Sequence, residues 1–231
     1  MPSDVVTPGW GYIGKIPAKG DFIKHGLPKY CANVLHDWQQ AVIAVSREQL
    51  QDRWQALYLN APIWNFSFDA SITGESTLIG SMIPSVDAAG RYFFFTVARL
   101  VEEHALAYWQ HRVWAEDSQA LALAVLEDGF SFDHWLNRLS SANDNLALNR
   151  KFSGQVSLKN AECESLIFKE YAEIGADDLL KFLINEKYNK PCYWWTDGND
   201  TVEPLMFISE GLPPIGKYAA MLDGQWAKWN W

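Results

Sequence analysis

Apolar positions change their spacing several times along the chain, and each change marks an element. Trp10 to Ile16 reads as a strand ended by Pro17, and the stretch between Pro17 and Pro28 reads as loop. Val34, Trp38, Val42 and Val45 fall three or four apart, which predicts a helix from about Lys29 to Gln51. Arg53–Tyr58 continues as a shorter one. Trp64, Phe66 and Phe68 alternate with Asn65 and Ser67, the period-two pattern of a half-buried strand. Leu78–Pro84 and Arg91–Leu100 are near-continuous apolar runs, so both predict strands covered on two faces. A polar, glycine-bearing link, Ser85–Gly90, joins them. Glu102–Glu127 repeats Leu106, Trp109, Val113, Leu121 and Val125 at helical spacing and predicts one long helix ended by Gly129. Asp133 is a candidate cap for the next. Later come strands at Leu166–Phe168, Cys192–Thr196 and Val202–Ile208, and helices at Ala176–Asn185 and Ile215–Leu222.

Together these predict an α+β fold: a mixed, largely antiparallel sheet flanked by helices in α/β/α layers. The polar stretch 140–154 is where any subdivision of the chain would fall, and an excursion within a single domain of residues 1–231 is the preferred reading.

Composition narrows the function. The chain has 231 residues, 48% of them hydrophobic, enough for a sizeable core. Its net charge is −9 with no basic stripe, which disfavours nucleic acid and anionic membranes as partners. Cys31, Cys163 and Cys192 form neither a CxxC pair nor a zinc pattern and read as buried thiols in a reducing compartment. There is no signal-peptide pattern and no run long enough to span a membrane, so the expectation is a cytoplasmic protein without cofactor or metal. Twelve tryptophans are a surplus that either fills a core or marks a partner surface.

No catalytic constellation emerges. Gly11-Tyr12-Ile13-Gly14-Lys15 has two residues between its glycines where a phosphate loop has four, and Ile16 stands in place of the hydroxyl. Ser85 lacks a nucleophile elbow, and short polar residues such as Ser85 and Asp87 more often bond nearby turn amides. Arg91 opens an otherwise apolar strand and calls for a carboxylate, with Asp87 and Asp21 as candidates. It either pins the 85–90 link or binds an anion.

The motifs Gly14-Lys15-Ile16-Pro17-Ala18-Lys19-Gly20-Asp21-Phe22, Ala61-Pro62-Ile63-Trp64, and Pro84-Ser85-Val86-Asp87 with Gly90-Arg91-Tyr92-Phe93 resemble the TagF (ImpM) family. Trp194-Trp195, Gly211-Leu212-Pro213 and Met221-Leu222-Asp223-Gly224 extend the likeness along most of the chain. Three positions depart from the family pattern: Ala88, where a basic residue is frequent, Phe94 (often proline) and Asn65 (often arginine). The resemblance implies a non-enzymatic accessory protein of bacterial type VI secretion. Such a protein would repress the system post-translationally, with a forkhead-associated (FHA) protein or another cytoplasmic component as partner. The expected docking residues are Lys19, Asp21, Ser85, Asp87, Arg91 and Trp64. The alternative is an anion or small-molecule site, hydrolytic or not, built on Ser85, Asp87 and Arg91. A third reading is an oligomer exchanging its terminal tryptophans.

Overall fold

A computed structural model describes residues 9–74, 76–142, 146, 156–157, 167–168 and 175–231. The 140–154 stretch and Cys163 therefore lie almost wholly outside the described residues. The main sheet has seven strands: β1 (Gly11–Gly14), β2 (Ile23–His25), β3 (Trp64–Phe68), β4 (Thr77–Ile83), β5 (Phe95–Val101), β8 (Pro191–Thr196) and β9 (Leu205–Glu210). Their order is β2-β1-β5-β4-β3-β8-β9, and every pairing is antiparallel. The short strands β6 (Val156–Ser157) and β7 (Ile167–Phe168) pair only with each other. The α+β class with helices over both faces is as expected, and no parallel pair occurs among the described strands.

Alternation along the central strands divides the core in two. Trp64, Phe66 and Phe68 of β3, Leu78 and Met82 of β4, and Cys192 and Trp194 of β8 face one side. They pack under α1 (Lys29–Leu50) and α2 (Trp54–Leu59). Ile79, Ile83, Phe95, Val97 and Trp195 face the other side, under α5 (Trp114–Ala124) and α6 (Phe132–Ser141). Neighbouring residues thus serve opposite cores, which is why the strands read as continuous apolar runs. β3 corrects the half-buried expectation, because all five of its residues are buried. Its polar face lies under α5, where Ser81 Oγ donates to Asn65 Oδ1 at 2.7 Å and Gln119 Nε2 reaches the same oxygen at 3.1 Å.

Several boundaries differ from expectation for local reasons. The buried stripe of α1 is Cys31, Leu35, Trp38, Val42, Ser46 and Leu50: Trp38 and Val42 lie on it as expected, while Val34 and Val45 are only half-buried. Gln39 enters it by donating to Thr96 Oγ1 at 2.6 Å. The residues after Asp69 form a short helix, α3 (Ala70–Thr73), with Asp69 accepting from Ser71 N. The single helix over 102–127 is instead α4 (Ala105–Gln110), capped by His104, followed by α5. Val113, placed on the core stripe by its spacing, is 76% exposed at the break. Ser131, not Asp133, caps α6. Helix α7 (Ala176–Lys187) lies over β8 and β9, with Ile184 packed beside Tyr193 and Ile208. The last predicted helix is a 3₁₀ turn followed by α8 (Ala220–Asp223), with Gly224 left-handed at its end.

The tryptophans fill space. Trp10, Trp38, Trp54, Trp64, Trp114, Trp135, Trp194 and Trp195 are buried. The terminal ones fold onto their own chain: Trp231 Nε1 donates to Lys217 O at 2.8 Å, and its ring meets Phe207.

Candidate functional site

Two loops distant in sequence meet at one end of the sheet. The first follows β1 and runs from Lys15 to Phe22. The second joins β4 to β5. The apolar run at 91–100 becomes regular strand only from Phe95. Before that, Tyr92 turns aside to pack on Trp54 and Tyr58, with ring centroids at 5.1 and 5.6 Å. A single bridge, Val86 to Tyr92, closes the loop. Tyr58 grips its start, with the hydroxyl bonded to both Ser85 O and Ser85 N.

Asp87 organises the junction. Its side chain has no exposed surface, yet it carries two ion pairs. Oδ2 accepts from Lys15 Nζ at 2.9 Å and from Arg91 Nε at 2.6 Å. Oδ1 accepts from Ala89 N and Arg91 N, both at 2.9 Å. Desolvation works to raise the carboxyl pKa. The bonds from Lys15, from the amide and guanidinium of Arg91 and from Ala89 outweigh it, holding the group well below the usual carboxylate range. Two cations thus surround one buried anion, and the anion's second oxygen folds its own loop.

The remaining ties cross between the loops. Ala88 N donates to Lys19 O at 3.1 Å, and Arg91 Nη2 donates to Gly20 O. Phe22 stacks edge-on against Phe93 at 5.1 Å. Lys19 Nζ sits 3.8 Å above the Phe132 ring, a cation–π contact with α6. Arg91 is pinned at two nitrogens while its side chain stays 60% exposed.

Each expected site residue can now be placed. Lys19 and Asp21 lie on the same face as Asp87 and Arg91, with Asp21 exposed and Asp87 as the partner of Arg91. Ser85 is 3% exposed, and its Oγ has no hydrogen-bond partner among the described residues. Among the described residues no base is bonded to it, and a serine nucleophile needs one in reach. Asp87 is fully engaged and cannot act as that base. Trp64 lies elsewhere: it is 1% exposed in the core, with Nε1 bonded to Met221 O. Its role is packing, and it cannot reach a partner. An open cleft of about 390 Å³ near this face is lined by Arg47, Gln51, Asp52, Trp54, Gln55 and Tyr92, not by the expected cluster.

The sequence reading missed Lys15 as a partner of Asp87. A carboxylate destined for burial needs cations, but Arg99 and Arg53 stand nearer to Asp87 in sequence than Lys15, so nothing local singles out Lys15. Gly11 and Gly14 serve close strand contact. A Cβ on Gly14 (φ +140) would run into the Phe94 carbonyl, and one on Gly11 would sit 2.7 Å from His25 O. Among the described residues no helix is long and apolar enough to cross a membrane, and no group of three or more His, Cys, Asp or Glu could hold a metal ion.

Comparisons with known proteins place this geometry in context. The model of the TagF N-terminal domain, described as type VI secretion system-associated, matches residues 11–142, which include both loops. Among solved structures, PA0076 from Pseudomonas aeruginosa PAO1 is similar with a TM-score of 0.76 and 25% identity, covering 94% of each chain. No curated protein matches.

Proposed function

The chain belongs to the TagF family of type VI secretion system-associated proteins, and from that premise we propose that it is a cytoplasmic, non-enzymatic repressor of the system. It acts after translation by binding a protein component, with an FHA protein as the foremost candidate. The docking face is the junction of the two loops. Lys19, Asp21 and Arg91 make contact, while Ser85 and Asp87 hold the loops in register from beneath. The observation that carries this reading is Asp87, a buried carboxylate spent on fixing two loops and an exposed arginine in place. A surface ordered before contact loses less freedom on binding, and arginine is a frequent interface anchor.

A secretion assay comparing deletion, overexpression and Arg91→Ala tests it. Overexpression of the wild-type chain silences secretion, and Arg91→Ala, with its fold checked by circular dichroism, represses less. Equal repression by both would remove Arg91 from the surface. Failure of the chain to co-purify with any component of the system, where known complexes survive, would remove the binding mechanism.

A further inference from the structure

The two loop segments carry a net charge opposite to that of the chain. Residues 15–25 and 85–91 hold four cations, Lys15, Lys19, Lys24 and Arg91, against the carboxylates Asp21 and Asp87. The whole chain is −9, so everything outside these segments is more acidic still. Asp87 is also closed to any visitor. Its charge is consumed by Lys15 and Arg91, which leaves the pair a surplus of one positive charge at the surface.

The shape of that surplus is specific. A guanidinium has five N–H donors in a fixed fork. Among the described residues, Arg91 spends Nε on Asp87 and one Nη2 hydrogen on Gly20 O. The other donors stay open on a side chain that cannot swing away. Lys19 is steadied over Phe132 on the same loop that Arg91 grips. A planar, held guanidinium pairs bidentately with a carboxylate or a phosphate, and the carboxylate is the one that an unmodified protein segment carries.

Resting on the docking reading above, we infer that this face takes a short acidic segment of a partner protein, with an Asp or Glu carboxylate on Arg91 and Lys19 beside it. Screening limits what such a segment feels to roughly 8 Å at physiological salt, so the local surplus decides the contact. A long polyanion such as nucleic acid would meet the remaining acidic surface and be repelled.

Titrating the full-length, isotope-labelled chain with hexaglutamate and following amide NMR shifts tests the inference. Hexalysine and inorganic phosphate serve as comparison probes. Because most of the surface repels hexaglutamate, the shifts it causes should be confined to residues 15–25 and 85–91. Arg91→Gln should weaken binding roughly five-fold, the scale of one charge-assisted pair. Lys19→Glu leaves the Asp87 bonds untouched and should weaken it too. Lys187→Glu, on α7 at the other edge of the sheet, should not. The inference is overturned if the shifts are absent or scattered, if neither face variant changes them, or if phosphate reproduces them, since phosphate binding marks a simple anion site. The secretion assay separates the two readings. If hexaglutamate is ignored while Arg91→Ala loses repression, the regulatory reading stands and the acidic-segment inference falls. If hexaglutamate binds here while Arg91→Ala represses fully, the face takes acidic segments but Arg91 is not part of the repressing surface.

Discussion

At Asp87, one carboxylate accepts four hydrogen bonds, two of them from the backbone of its own loop. Asn in its place would keep one acceptor oxygen, lose both ion pairs and leave the Lys15 ammonium half-buried without its partner. Asp87→Asn should therefore lower the melting temperature and increase exchange of the Ala89 and Arg91 amides. The pH dependence has a fixed sign. The folded pKa lies below the ordinary 3.8, so the stabilisation is complete above that value and is lost as pH falls through it towards the folded pKa. His104 works in a separate window. Burial, then Lys181, lower its pKa from 6.5 to about 4 against the opposing pull of Asp178, Asp69 and Asp177. Its ring caps α4 by accepting from Ala107 N at 3.3 Å. Stability should thus decline as pH falls from 6.5 towards 4, before Asp87 begins to titrate. Thermal melts across pH read both steps. His104→Asn, which keeps a capping oxygen, should flatten only the upper one.

Elements show where spacing and tertiary contact disagree. β1 meets β5 through Gly14, whose φ of +140 and contact with Phe94 leave no room for a side chain. Gly14→Ala forces a backbone shift and should cost about 2 kcal/mol or more, measurable by denaturant unfolding. It should also loosen the Lys15–Asp87 pair one residue on. Gly90→Ala also meets a positive φ, +74, but in open space. It should cost about 1 kcal/mol, the ordinary left-handed penalty. The difference between these two glycines could not be read from sequence, since it depends on which strand lies across the sheet. The break between α4 and α5 was hidden for a similar reason. Leu106, Trp109 and Val113 keep helical spacing, yet Trp114 turns inward to meet Trp10 and Trp195 and donates Nε1 to Tyr108 O. The central strands were legible because their apolar runs are local, whereas β2 (Ile23–His25), inside the stretch read as loop, is a strand only because β1 lies beside it. The pairing of Asp87 with Arg91 was legible because they lie four residues apart, whereas Lys15 is seventy-two residues from Asp87.

At the scale of the whole molecule, the family match ends at residue 142, but the sheet does not. β8 pairs with β3, and its indoles enter both cores. Trp194 lies 5.0 Å from Phe68, 5.4 Å from Phe66 and 5.5 Å from Trp38, and Trp195 lies 5.6 Å from Trp114. Two more buried indoles before residue 142 donate to carbonyls after it: Trp38 to Pro213 and Trp64 to Met221. A fragment ending at Ala142 would lose two large core side chains at roughly 3–5 kcal/mol each. It would orphan two buried donors at roughly 1–3 kcal/mol each. Those losses are together on the same scale as the roughly 5–15 kcal/mol that holds an ordinary domain together. The fragment should accordingly lack a cooperative melt and near-ultraviolet tryptophan dichroism, and it should not repress secretion even though it carries the complete two-loop face. A cooperative transition at the full-length temperature would mean that residues 11–142 fold alone and that the chain divides near 140–154. With β8 paired to β3, the sheet that carries the two-loop junction is held in shape partly by tryptophans from beyond the family-matched segment.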